Sequence, residues 1–377
     1  MPHYLDYAAT APLCPEARGA ILAGLDEFGN PSSRHALGQA AAGFLGDCRS
    51  TVANALGCLP SELVFTSGGT EGDNWAIAAA LQNGKRRGKH LITSAIEHAA
   101  VLEPLKRLQQ KGYDVTYLPV DSSGRVRPAD LQAALREDTV LVSLMLVNNE
   151  LGTVQPVAEC AALAHAYHPD ILVHTDAVQG FLKVPFTPKS LGVDLLSISG
   201  HKIGAPKGVG GFYIRQGLHI VPLLPGGGQE FALRSGTEPT LLLGAFAAAA
   251  AAGSAHFVDC AQRLAALKAY AQTQLAALDG VSVLVQGDAP HILPFSLEGY
   301  KSEVVVRFLS DEGVYLSSGS ACHKGKKSHV FSALKLTKRQ LDGALRVSFG
   351  GESTTADVDA LLAALQKAKA QLFQTMS

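Results

Sequence analysis

Leu63-Val-Phe-Thr-Ser-Gly-Gly-Thr-Glu-Gly-Asp-Asn-Trp75 reads as a short apolar strand, a glycine turn and the start of a helix. The same punctuation repeats downstream. Strands are expected at Leu63–Thr66, His90–Ser94, Val115–Pro119, Val140–Val147, Ile171–Thr175, Leu195–Ser199 and Gly211–Ile214. Between several of them lie helical patterns at Gly72–Gln82, Val101–Gln110, Pro128–Arg136 and Val157–Ala166. Strands alternating with helices build an α/β domain around a mostly parallel sheet, because parallel neighbours need crossover connections and these are right-handed. Such a sheet is covered on both faces.

After Glu238 the texture changes. An Ala/Leu-rich helical region runs from Leu241 to Leu278, with an interruption expected at Gly253. Short strands follow at Val281–Val285 and Leu293–Leu297, then a helix at Glu303–Asp311, a strand at Ala344–Phe349 and a final helix from Thr355 to Phe373. The domain boundary is placed near Gly253. It divides a large unit, 14–253, from a smaller α+β unit, 254–377, to which the N-terminal segment 1–13 is assigned.

The chain has 377 residues, with 47% apolar and 17% charged side chains, which excludes a disordered polymer. A net charge of −1 argues against binding nucleic acid or a membrane surface through a global positive field. The six cysteines, Cys14, Cys48, Cys58, Cys160, Cys260 and Cys322, form no C-x-x-C pair and no disulfide scaffold, so a reducing, cytoplasmic compartment is expected and no metal site. The uncharged stretch Pro239–Val258 has the length of a membrane span, but it is mostly alanine and reads as a buried helix. No secretory signal is visible at the amino end.

Four constellations carry chemistry. The turn Gly68-Gly69-Thr70 leaves backbone amides at a helix N-terminus, a place for a phosphate; a plain turn with Thr70 as N-cap gives the same string. Asp176, in His174-Thr-Asp-Ala-Val-Gln179, ends a strand at the carboxyl edge where open α/β sheets bind ligands. A carboxylate there can hold a ring nitrogen protonated, or simply cap the next helix. Lys202, in Leu196-Ser-Ile-Ser-Gly-His-Lys202, follows one crossover unit later at the same edge. A lysine near other cations or in an apolar pocket can form a Schiff base, although most lysines are only solvated. Finally, Ser317-Ser-Gly-Ser-Ala-Cys322-His-Lys-Gly-Lys-Lys-Ser-His329 surrounds one thiol with His323, Lys324, Lys326, Lys327 and His329. Positive surroundings favour the nucleophilic thiolate; a basic docking face for an acidic partner or RNA is the other reading.

Together these motifs resemble the cysteine desulfurases, the NifS-like branch of the class-V aminotransferases within the fold-type-I pyridoxal phosphate enzymes. Matching blocks are YLDYAAT (4–10), FGNPSS (28–33), FTSGGTEGDN (65–74), EHAAV (97–101) and VNNELG (147–152). They continue with HTDAVQ (174–179), SGHKIGAPKGVG (199–210), RSGTEP (234–239), SSGSAC (317–322) and LRVSFG (345–350). The resemblance implies a large domain with a mostly parallel seven-stranded sheet that binds pyridoxal 5'-phosphate, and a smaller domain carrying the cysteine loop. It implies that Lys202 bonds covalently to the cofactor, Asp176 pairs with the pyridine nitrogen, Gln179 meets the ring hydroxyl and His98 stacks on the ring and assists proton transfer. Gly69, Thr70, Ser199 and His201 match the phosphate-binding positions, and Thr237 matches a residue contributed by the neighbouring subunit of a homodimer. Asn149, which also lies against the cofactor, and Arg346 match residues that hold the substrate, with Asn30 a further substrate contact. Cys322 matches the nucleophile.

The implied reaction converts L-cysteine to L-alanine and leaves a persulfide on Cys322 for a sulfur-acceptor protein, in iron–sulfur cluster assembly or tRNA thiolation. The run HKGKKSHV after Cys322 differs from the Ser/Thr/Ala-rich loop usual in the family, and the carboxyl end AKAQLFQTMS lacks the recognisable docking tail of the housekeeping branch. Both departures bear on the acceptor. Selenocysteine lyases share almost all these residues and stand as an alternative, beside other class-V aminotransferases, which need no loop thiol. A non-catalytic scaffold on this fold would be expected to have lost Lys202, Asp176, Cys322 or Arg346, and all four are present.

Overall fold

The computed structural model describes residues 2–318 and 328–374. β1 (His3–Tyr4) stands apart from the strands that follow it. The large sheet comprises β2 (Leu63–Thr66), β3 (His90–Ser94), β4 (Asp114–Leu118), β5 (Thr139–Ser143), β6 (Leu172–Asp176), β7 (Leu195–Ser199) and β8 (Gly210–Ile214). Their spatial order is β2-β8-β7-β6-β5-β3-β4, and β8 alone runs antiparallel to its neighbours. The expected strands therefore form, each within a few residues of its expected bounds.

Side-chain alternation explains why the sheet is covered on both sides. Val64, Leu91, Leu141, Leu172 and Leu195 join one buried cluster, with Trp75 stacked on Phe212 at 4.9 Å. Their successors Phe65, Ile92, Val142, Val173 and Leu196 join another. Successive residues of a strand point to opposite faces, so a fully apolar strand needs an apolar layer on each.

Two helices precede the first expected strand, Pro15–Ala23 and Ala36–Leu56, and both pack against helix Thr240–Ala255. Their many Ala and Gly residues give little periodic signal. The interruption expected at Gly253 falls instead at His256, where Thr240–Ala255 and Phe257–Ala276 meet at 72°. Gly253 stays helical, and its missing side chain admits a neighbour: a Cβ there would lie 2.8 Å from Leu182. The uncharged stretch from Pro239 is a core helix with Leu243, Phe246 and Ala250 buried. Among the described residues no single helix is long and apolar enough to cross a membrane.

The remaining strands are β9 (Val281–Val283), β10 (Ile292–Leu297), β11 (Val314–Tyr315), β12 (Ser317–Ser318) and β13 (Ala344–Ser348). An antiparallel sheet runs β12-β13-β10-β9, while β1 pairs in parallel with β11. Its core gathers Leu5 with Leu264, Phe295, Leu345, Val347 and Leu365.

Candidate active site

The carboxyl ends of the parallel strands open into a cavity of about 1200 Å³. Each element delivers a side chain as it leaves the sheet. The helix after β2, Gly69–Asn83, starts with Gly69 and Thr70 on the cavity wall. Gly68 adopts φ +148°, and a Cβ there would meet Ser199 Oγ at 3.5 Å, so the hydroxyl at the end of β7 lies over the glycine turn. Orphan amides of a first helical turn together with a hydroxyl make an anion cradle. His201 and Lys202 follow in a single tight turn, Gly200–Lys202.

His98 caps helix Ala99–Gln110 by accepting the Ala100 N–H on Nδ1 at 3.1 Å. That bond assigns the neutral ring's proton to Nε2. Ring nitrogen and carboxylate oxygens of His98, Asp73 and Asp176 lie within 4.8 Å of one another, a grouping the sequence spacing does not reveal. Burial pushes the Asp176 carboxyl up, opposed by the Val178 N–H it accepts at 2.9 Å and by the positive charge of Lys202. Asp73 is likewise pushed up, first by burial and then by the charge of Asp176. His174, between Ser143 and Ser197 hydroxyls, is held neutral, its pKa driven down to about 3 by burial. His201 is likewise lowered to about 4, by burial and then by Lys202 and Lys207.

Lys202 Nζ donates to the carbonyls of Ala8 at 2.6 Å and Ala9 at 2.8 Å, and Gln179 also donates to Ala8 O at 2.8 Å. The N-terminal strap therefore fixes two of the expected site residues. Arg346, on β13, is 6% exposed and reaches the cavity from the smaller sheet. Asn149 lines the same wall and accepts from Arg346 through its carbonyl at 2.8 Å.

Gly69, Thr70, His98, Asn149, Asp176, Gln179, Ser199, His201, Lys202 and Arg346 thus converge on one cavity. Asn30 and Thr237 are exposed and do not line it; Asn30 Oδ1 accepts from the Ser32 N–H at 2.9 Å. Cys322 lies outside the described residues, as do His323, Lys324, Lys326 and Lys327. Ser318 and Ser328, the described residues on either side of that segment, both line the cavity.

Three acids here take no role from the sequence, although Asp6, Glu97 and Glu150 lie in the blocks YLDYAAT, EHAAV and VNNELG, because their partners are distant along the chain. Glu97 is buried, accepts from Ser94 Oγ at 2.5 Å and from the Met145 N–H at 3.0 Å, and is pushed up to about 8 by burial. Glu150 accepts from Ser328 Oγ at 2.6 Å and is raised to about 7, again by burial. Asp6 meets Arg346 at 2.7 Å.

The cavity also fits pyridoxal 5'-phosphate by its donor set: an anion cradle at Gly69, Thr70 and Ser199, a buried carboxylate for a ring nitrogen, and an amine. Its volume exceeds the usual small-ligand pocket of roughly 300–1,000 Å³, leaving room for an amino acid beside the cofactor.

Comparison with known proteins gives matches along almost the whole chain. The family model described as Aminotransferase class-V matches residues 3–361. The chain is 41% identical over 371 residues to Cysteine desulfurase IscS of Dictyoglomus turgidum, covering 97% of this chain and 93% of that one. Among solved structures it is similar to a NifS-like protein, with TM-score 0.93 and 35% identity over 99% of this chain and 100% of that one. It is also similar to SspA in complex with cysteine, with TM-score 0.80 and 34% identity over 93% and 99% of the two chains.

Proposed function

The chain belongs to the class-V aminotransferase family, in its IscS/NifS cysteine desulfurase branch, and from that premise we propose how its own residues act. Pyridoxal 5'-phosphate, when bound, supplies the electron sink that makes the α-carbon of a bound amino acid acidic. Gly69, Thr70, Ser199 and His201 hold its phosphate, and Asp176 keeps its ring nitrogen protonated. Gln179 stands at the ring hydroxyl. Lys202 Nζ would supply the amine that anchors the cofactor and would hold or move a proton at that atom. His98 would stack on the ring and assist proton transfer there. Arg346 binds the carboxylate of L-cysteine through its guanidinium fork, with Asn149 beside it. Cys322 takes the substrate's sulfur as a persulfide while the carbon skeleton leaves as L-alanine.

The observation that carries this reading is the arrival of both units' residues at one cavity. Lys202 and Asp176 come from the large sheet, Arg346 comes from the smaller one, and Ser318 and Ser328 bring the ends of the Cys322 segment to the wall. Asn30 and Thr237 fit a homodimer in which a second copy completes the site. Exposed Leu22, Leu25, Phe28 and Leu37 on the N-terminal segment suit such an interface. The persulfide goes to an acceptor protein for iron–sulfur assembly or tRNA thiolation.

The test is alanine release from L-cysteine by the cofactor-loaded protein with a thiol reductant, beside Cys322→Ala. Release by the parent and its loss in the variant are expected. Equal release by both would remove Cys322 from the reaction and favour a lyase, with selenocysteine as the substrate to try.

A further inference from the structure

Asp6 sits at the junction of three chain segments. Arg346 Nη2 donates to Asp6 Oδ1 at 2.7 Å, and the same oxygen accepts from Ser317 Oγ at 2.8 Å. Ser317 and Arg346 are directly opposed in the β12–β13 ladder, and Asp6 is bridged to Ser348 two residues along β13. Backbone pairing therefore places all three side chains before any ligand arrives. On its other side the guanidinium donates through Nη1 to Asn149 O at 2.8 Å, while Nε is buried without a hydrogen-bond partner among the described residues.

Two consequences follow for a carboxylate that enters here. The guanidinium plane is held by acceptors on two nitrogens, so a ligand finds it already oriented, and an unmade buried donor remains to reward it. Yet Nη2 already carries an anion. The Asp6 side chain is 20% exposed against 7% for Arg346, so its charge is poorly screened at the guanidinium and opposes a second carboxylate on the same group.

We infer that Asp6 is a positioning and affinity-setting residue for the amino-acid carboxylate: it orients the Arg346 fork and, as a resident anion on Nη2, keeps its hold on that carboxylate weak. This rests on the reading that Arg346 takes the substrate carboxylate. Asparagine at position 6 separates the two roles, since its carbonyl oxygen still accepts from Ser317 and Arg346 while the charge is gone.

The probe is 3-mercaptopropionate, which keeps the carboxylate and thiol of cysteine and lacks the amine. Its dissociation constant is measured calorimetrically on the cofactor-loaded protein, beside cysteamine, which lacks the carboxylate. Asp6→Asn should bind 3-mercaptopropionate about tenfold more tightly, with cysteamine unchanged, the order expected for removing one nearby like charge. Asp6→Ala, which also loses the acceptor, should bind it less tightly than Asp6→Asn. Ser317→Ala makes Asp6 lean harder on Arg346 and should weaken binding roughly two- to threefold, and it serves if the Asp6 variants do not fold. Unchanged or weaker binding by folded Asp6→Asn, with binding lost in Arg346→Lys, would overturn the inference and leave the role of Arg346 standing. Undiminished binding by Arg346→Lys would overturn both.

Discussion

Ser199 occupies the last position of β7, and that position decides its chemistry. Because the strands are parallel, the last residues of β6 and β7 and the turns after β2 and β3 emerge at one edge, where a hydroxyl, a carboxylate, a histidine and a glycine face one space. Ser199→Ala removes one oxygen donor from the anion cradle and leaves the glycine turn intact. A hydrogen bond to a charged group is worth about 1.5–3 kcal/mol, so the variant should hold pyridoxal 5'-phosphate at least tenfold more weakly. Equilibrium dialysis followed by absorbance of the retained cofactor reads this directly; unaltered retention would place the phosphate elsewhere. The serine's place at a strand end was legible in the local pattern, while its phosphate-binding role was expected only from the family resemblance. The roles of the three acids were not legible: Glu97, Glu150 and Asp6 matter through partners distant in sequence.

Among the elements, the turn Glu230–Ala232 carries the most backbone strain. Glu230, Phe231 and Ala232 have φ of 49°, 60° and 63°, all left-handed and none glycine. Each such residue costs about 1–2 kcal/mol, so something must hold the turn. Arg49 does so from helix Ala36–Leu56, with two bonds of 2.6 Å to the Glu230 carboxylate, which also accepts the Phe65 N–H at 2.7 Å. The Phe231 ring lies 4.9 Å from the same guanidinium. Ala232→Gly should raise stability by about 1 kcal/mol, because glycine takes this conformation without the Cβ clash. Glu230→Gln should lower it by about 3–5 kcal/mol by stranding a buried charge. Urea denaturation of both variants checks the pair, and opposite signs are the expected outcome. The segment leads through Arg234, paired with Glu71, toward Thr237, so the clamp sets the course of the chain to the residue proposed to serve a second copy.

For the molecule as a whole, the buried acids tie stability to pH. Glu97 binds its proton up to about pH 8 in the folded protein, against an ordinary value of 4.5 in the unfolded chain. Between those limits the folded state holds more protons, so stability falls as pH rises through the window. Glu150, raised to about 7, acts in the same direction. Between pH 6 and 9 the Glu97 contribution amounts to about 3 kcal/mol. Glu97→Gln keeps a neutral acceptor for Ser94 and Met145 and should flatten the fall by roughly that amount, as measured by denaturation at the two pH values. An unaltered pH slope would show that Glu97 ionises without cost. At the same scale we propose the division into two units near Gly253, since one core, Ala289 apart, runs no further than Ala250 and its neighbour, Leu5 apart, begins at Leu264.

The alternation of strands and helices, the mostly parallel sheet and the residues at its carboxyl edge are legible in local pattern, because they depend on periodicity and on glycine turns that contacts elsewhere do not override. The sequence also carried the motifs by which Lys202, Asp176 and Arg346 were expected to act together. Contacts between distant segments alone reveal that Asp6 bridges to Ser348 of β13, that Ala8 holds both Lys202 and Gln179, and that Asp6 meets Arg346 and Ser317. The helix break likewise lies at His256, while Gly253 stays helical and leaves room for Leu182. The reason is common to all of these. Local pattern fixes how a segment folds, but charge pairing, proton position and close packing depend on which segments meet, and those partners lie up to 340 residues apart along the chain.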